Sequence, residues 1–182
     1  MKKVIIVCDG ACSGNGKTEN VGGWGAVLKY QTEEKTIYGG SDQTTNNIME
    51  LTAAIEALKC LKSKSLHVEI YSDSAYVVNC FRNGWYRKWL INGWLTSKKE
   101  PVENKSLWQI LIDLVHSFET VTFFKIKGHL DLDKSSDVLK WHAKFNKDNQ
   151  TDISIEAFKS LIELNHKADE LANLGMAPYK KL

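Results

Sequence analysis

Lys3-Val4-Ile5-Ile6-Val7-Cys8-Asp9-Gly10 decides the fold class. Residues 3–8 are a short apolar run, and Asp9-Gly10 reads as the turn that stops it. A basic start followed by apolar residues also occurs in signal peptides. Here the run is too short and Asp9 ends it, so an opening strand is the better reading. Glycines and small polar residues follow through Gly23. Residues 24–30 and 35–40 predict two further strands, a meander with the first. The pattern then changes to helical spacing over 46–62, where Ile48, Leu51, Ile55 and Leu58 line one face beside Ala53, Ala54 and Ala57.

Further along, His67–Tyr71 predicts a fourth strand, Ser74–Phe81 a short helix, 106–116 an amphipathic helix and 120–127 a fifth strand closed by Gly128-His129. A long last helix is expected from near Ile155 to Leu174. Three strands, a helix, a strand, helices, a strand and a final helix predict an α/β sandwich: a mixed five-stranded sheet flanked by helices.

The 182 residues suit one domain, residues 1–182. A net charge of +2 does not by itself announce a nucleic-acid binder, so local clustering must make that case. Cys8, Cys12, Cys60 and Cys80 lack C-x-x-C spacing and read as reduced thiols of a cytoplasmic protein. No apolar stretch is long enough to span a bilayer, so no membrane partner is expected. No obligate protein partner is evident, and a monomer is expected.

Four acids stand where a phosphoryl-transfer site could use them: Asp9 and Asp73 at strand ends, Glu50 in the first turns of the first long helix, and Asp169 in the last helix. Strand ends of open α/β sheets favour active sites, and hard cations take oxygen ligands. Each acid also has an ordinary reading. Asp9-Gly10 can be a turn, Glu50 the partner of an Asn47 capping box, Asp73 a helix N-cap and Asp169 a solvated charge. On the residues alone, both readings stay open.

The surrounding words favour the first. Asp9-Gly10-Ala11-Cys12-Ser13-Gly14-Asn15, Thr44-Thr45-Asn46-Asn47-Ile48-Met49-Glu50-Leu51, Tyr71-Ser72-Asp73-Ser74-Ala75-Tyr76, Lys127-Gly128-His129 and Ala168-Asp169-Glu170-Leu171-Ala172 occur in that order. Together they resemble the type 1 ribonuclease H (ribonuclease HI) family, over residues 3–129 and again near 166–174. The resemblance implies the ribonuclease H-like fold and an endonuclease that hydrolyses the RNA strand of RNA–DNA hybrids. It implies two Mg2+ ions, with Mn2+ as a substitute, held by Asp9, Glu50, Asp73 and Asp169. His129 would sit on a mobile loop and assist proton movement or product departure. Cys12, Asn15, Asn46 and Asn47 match hybrid-contacting positions, some of them toward RNA 2′-hydroxyls. Helix capping is the ordinary alternative for Asn46 and Asn47. Thr45 and Asn104 match a pocket that grips a DNA phosphate.

Residues 84–105 interleave aromatics and cations, as a nucleic-acid groove requires. They resemble the family's basic handle. Arg87 and Lys88 would meet phosphates, Trp85 and Tyr76 would face the DNA strand, and Trp89 and Trp94 would be structural. Leu90 and Ile91 stand where relatives often carry lysines, Gln43 where some carry a phosphate-pocket arginine, and Ala75 where longer side chains touch the hybrid.

Residues 130–165 are the main departure, an insertion before and into the final helix. Val138, Leu139, Trp141, His142 and Phe145 predict a helix over 136–147, with 148–152 a loop and Ser154 a cap. His142, Asp131 and Asp133 invite a second metal site, although solvated surface is the simpler reading. Trp141 and Lys144 could instead extend the hybrid-binding surface. Two other classes compete for the whole chain: a non-catalytic hybrid-binding module on the same scaffold, and another nuclease of the wider superfamily. The filled acidic positions disfavour the former, and the Thr44–Leu51 motif and the tryptophan handle disfavour the latter.

Overall fold

The computed structural model describes residues 2–180. β1 (Lys2–Ser13), β2 (Val21–Tyr30) and β3 (Glu33–Asp42) form the antiparallel meander. Then come α1 (Asn46–Lys59), β4 (Leu66–Ser72), α2 (Ala75–Arg82), α3 (Trp85–Asn92), α4 (Lys105–Ser117), β5 (Thr120–Lys125), α5 (Ser135–Asn149) and α6 (Ile155–Met176). The five-stranded sheet has the order β3-β2-β1-β4-β5, with β4 parallel to both neighbours. It is the expected mixed sheet with helices on both faces, and the insertion is helical.

Strand alternation sorts the core. Val4, Ile6 and Cys8 pack with Leu51, Leu58, Trp108 and Leu111 under α1–α4. Val7 packs on the opposite face with Val27, Tyr71, Phe158 and Ile162 under α5 and α6. Phe158 and Ile162 are fully buried, each worth about 1.5–3 kcal/mol relative to an exposed side chain.

Three local expectations fail for physical reasons. Asp9-Gly10 is no turn, because β2 keeps pairing beyond it, with Gly10 opposite Trp24 and Ser13 opposite Val21. The cap of α1 is Thr45, whose hydroxyl accepts from the Ile48 N–H at 3.1 Å, so neither Asn46 nor Asn47 caps it and Glu50 is not half of a capping box. The cap of α2 is Ser74, which accepts from Val77 N–H, and this leaves Asp73 free. Boundaries also shift. β2 and β3 are longer than expected, α1 stops at Lys59, β5 stops at Lys125, and α5 runs on to Asn149. Ser154 does cap α6, accepting from Ala157 N–H at 3.1 Å.

Glycines set the distance between α6 and the sheet. A Cβ at Gly23 would lie 1.9 Å from Ala172 O, and one at Gly40 would lie 2.1 Å from Gly175 O. Helix backbone therefore rests on strand backbone, and this fixes how far α6 can carry Asp169 toward β1.

Candidate active site and metal centre

Strand register brings the first two acids together. Cys8 pairs with Ser72 in the parallel β1–β4 ladder, so Asp9 and Asp73 are the next residues along adjacent strands. Val7 and Tyr71, two residues back, both face α6, so period two turns both acids toward that side. Glu50 arrives from α1, across the sheet. Gly10 allows it: a Cβ there would be 2.5 Å from Glu50 N and 2.7 Å from Met49 C. A carboxylate oxygen from each of Asp9, Glu50 and Asp73 lies within 4.8 Å of the other two. Asp169, carried by α6, lines the same cleft, and its carboxylate helps to raise Asp9.

The electrostatics are those of buried carboxyls that repel one another. Asp9 is only 3% exposed, and its carboxyl is pushed up to about 8. Burial is the main cause. The charges of Asp73 and Asp169 add to it, and the Gly10 backbone N–H works against it. Burial, then Asp9 and Asp73, raise Glu50 well above the usual carboxylate range. Glu50 Oε2 is buried with no hydrogen-bond partner. Oxygen-only donors, mutual repulsion and an orphaned buried carboxylate oxygen fit a divalent hard cation.

These acids line an open cleft of about 690 Å³. Cys12, Asn46, Asn47, Tyr76 and His129 line it too. His129 is exposed, with its backbone in the left-handed region at φ 55°. Cys12 Sγ sits 4.0 Å from Thr44 O, and burial raises its thiol. Asn15 joins the cleft indirectly, its Oδ1 accepting from Asn46 N–H at 3.1 Å. Asn104 also stands behind the wall: its amide donates to the Tyr76 hydroxyl at 3.2 Å, and Trp108 Nε1 donates to the same oxygen at 2.9 Å. Thr45 lies outside the cleft lining as the α1 cap.

Trp89 packs tilted against Trp94 and edge-on against Trp108, at centroid distances of 5.5 and 5.4 Å, a small satellite core. Arg87 and Lys88 are exposed, and Trp85 is half-buried against the core. Leu90 and Ile91 are exposed as well, Ile91 at 87%.

The second metal reading fails. His142 Nε2 is 2.7 Å from Ile153 O and 3.1 Å from Asn146 Nδ2, and its ring packs on Phe158. It is a half-buried tether between α5 and the following loop, neither ligand nor solvated surface. Asp131 Oδ1 accepts from Asp133 N–H in a local turn. Sequence reasoning missed Lys125, whose ammonium feels Asp73 and Glu50. It ends β5 just before Lys127-Gly128-His129, and its only signal was that adjacency.

The RNase H family model matches residues 1–138. The Moorella thermoacetica ribonuclease H is 53% identical over 131 residues, 72% of this chain and 83% of the relative. The Symbiobacterium thermophilum ribonuclease H is 51% identical over 132 residues, 72% and 86%. Among solved structures, the chain is similar to LC9-RNase H1, described as a type 1 RNase H with the type 2 active-site motif. There the TM-score is 0.71 at 23% identity, with 98% of this chain and 74% of that one covered. LC11-RNase H1, solved in complex with an RNA/DNA hybrid, aligns at TM-score 0.59 and 20% identity over 97% of this chain and 98% of that one. The family match ends within the first turns of α5, so Asp169 is placed by the cleft it lines and not by that match. With the acid cluster and the matched sheet together, the chain belongs to the ribonuclease H family.

Proposed function

We propose that this chain is an endonuclease that hydrolyses the RNA strand of RNA–DNA hybrids. The observation that carries the reading is the convergence of Asp9, Glu50 and Asp73 within 4.8 Å, with Glu50 Oε2 buried and unpaired. Asp9, Glu50, Asp73 and Asp169 would hold two divalent ions, Mg2+ or its substitute Mn2+. When bound, such ions supply an activated water and charge neutralisation at the leaving 3′-oxygen.

The protein's own groups do the rest. The acids hold their geometry through the β1–β4 register and the close seat of α6. Burial and mutual repulsion raise the Asp9 and Glu50 carboxyls, and a cation held by them would compete with their protons. His129, at the open edge of the cleft, carries protons to and from the departing product. Asn46, Asn47, Cys12 and Asn15 read the RNA strand, where an amide can both donate to and accept from a 2′-hydroxyl. Thr45 and Asn104 steady a DNA phosphate. Tyr76 and Trp85 present rings to the DNA strand, and Arg87 and Lys88 present charge to phosphates. The enzyme works as one domain and a monomer. Its four unpaired thiols suit the reducing cytoplasm.

A substrate panel tests the reading. Purified protein with Mg2+ is offered RNA–DNA hybrid, duplex DNA, duplex RNA and single-stranded RNA. Cuts confined to the RNA of the hybrid, with 5′-phosphate and 3′-hydroxyl ends, support it. Equal cutting of duplex DNA, or binding without cleavage, overturns it.

A further inference from the structure

The insertion places a second cationic–aromatic surface next to the cleft, on the side of the His129 loop. Lys127 Nζ lies 5.0 Å from the Trp141 ring centroid, and Lys140 Nζ lies 5.3 Å from it. One half-buried indole therefore gathers cations from two separate segments. Lys125 and Lys144 belong to the same group. Burial depresses the Lys125 ammonium, the Lys127 and Lys144 charges depress it further, and Asp73 and Glu50 oppose them. Lys125 lies two residues before Lys127, and Lys144 lies four residues beyond Lys140 on the same face of α5, so two segments each bring a pair of lysines to this region. Ion pairs among the described residues leave Lys125, Lys127 and Lys140 without a carboxylate. Lys144 has the exposed Asp148 at 2.7 Å, a solvent-screened surface pair that is readily exchanged for another anion.

The patch is anchored. Asn149, at the end of α5, accepts from Lys125 N–H at 3.0 Å and donates to Lys125 O at 2.9 Å, as a neighbouring strand would. Arg82 of α2 donates to the same Asn149 Oδ1 at 2.8 Å and to Asp148 O. A side chain that pairs both backbone groups of the last β5 residue fixes α5 to the sheet edge. Cations held together on a fixed base are complementary to a phosphate backbone. The handle supplies less charge than a nucleic-acid grip could use, since Leu90 and Ile91 take two of its exposed positions.

We propose that Lys125, Lys127, Lys140, Trp141 and Lys144 form a second contact surface for the phosphate backbone of the hybrid, beyond the cleft and separate in sequence from the handle. The inference rests on the proposed hybrid substrate and adds to it a footprint longer than the cleft. Cations meet phosphates there, and the Trp141 ring offers a flat face to sugar or base.

Anisotropy of end-labelled hybrid in EDTA, where no cleavage occurs, tests it across about 50 to 200 mM salt. The proteins are wild type, Lys140→Ala/Lys144→Ala and Trp141→Ala, each checked for an unchanged far-UV spectrum and thermal midpoint. The double variant is expected to bind a long hybrid about ten-fold more weakly at low salt, with a salt slope smaller by about 2. On a hybrid too short to reach α5, the two proteins are expected to bind alike. Unchanged affinity and slope on the long hybrid, with wild type binding normally, overturn the second surface alone. If Trp141→Ala misfolds, the lysine variant still decides. Wild type that binds no hybrid at all overturns the proposed substrate, and this surface with it.

Discussion

Gly128 lies against the carboxylate of Asp73: a Cβ at position 128 would stand 2.2 Å from Asp73 Oδ2 and 3.1 Å from its Cγ. The glycine ahead of His129 therefore leaves room for an acid, and its role is not loop flexibility. Gly128→Ala should push Asp73 out of the cluster. Displacing a positioned group by about 1 Å costs on the order of 100-fold in turnover. Steady-state rates should fall by that order while the thermal midpoint moves little, because the contact lies at the cleft and not in the core. A variant with wild-type kcat would show that Asp73 has slack.

Much of this was legible in the sequence. Apolar runs gave five strands in order, helical spacing over 136–147 gave α5, and ordered motifs pointed to Asp9, Glu50 and Asp73, which the fold brings together. The failures share a cause: they concern contacts between distant segments. Asp9-Gly10 reads locally as a turn, yet β2 holds the strand straight through Ser13, and Gly10 exists for α1 to press against. Asn46 and Asn47 are better caps than Thr45 by residue type, yet the extended backbone ahead of α1 falls at Thr45, which takes the role. His142 resembles a ligand until the loop at Ile153 folds back onto it. Asn149 carries no motif at all, and its role depends on β5 being a sheet edge.

Asp9→Asn should make the metal-free protein more stable while removing activity. The folded carboxyl titrates at about 8, against an ordinary value of 3.8. A raised carboxyl binds its proton more tightly in the native state. Its favourable contribution is complete below the unfolded value and is lost as pH rises through 8. Thermal unfolding in EDTA should thus show wild type losing stability between about pH 4 and pH 8, with Asp9→Asn flatter and, at pH 8, the more stable of the two. Mg2+ should restore wild type and leave the variant largely unaffected. Parallel pH profiles for the two proteins in EDTA would contradict the repulsion described here.

Gly23→Ala should be costly to the fold. Its methyl would meet Ala172 O at 1.9 Å, and backbone carbonyl cannot step aside as a flexible side chain can. Overpacking of this kind costs about 1–3 kcal/mol, to be read from denaturant midpoints. Lifting α6 should also draw Asp169 away from Asp9, so residual activity should fall by more than the folded fraction does. A variant that is stable and fully active would mean that α6 can slide without consequence.

The central claim, that Asp9, Glu50, Asp73 and Asp169 act together through bound cations on the RNA strand of a hybrid, is tested most directly by single-turnover cleavage during a Mg2+ titration. Wild type is compared with Asp73→Asn, which keeps the shape of the side chain and removes its charge. Wild type should be inactive in EDTA and regain cleavage as Mg2+ is added. Asp73→Asn should remain folded yet cut more than about 100-fold more slowly at every Mg2+ concentration. Cleavage by wild type that persists undiminished in EDTA, or an Asp73→Asn protein that cuts at the wild-type rate, would contradict the account.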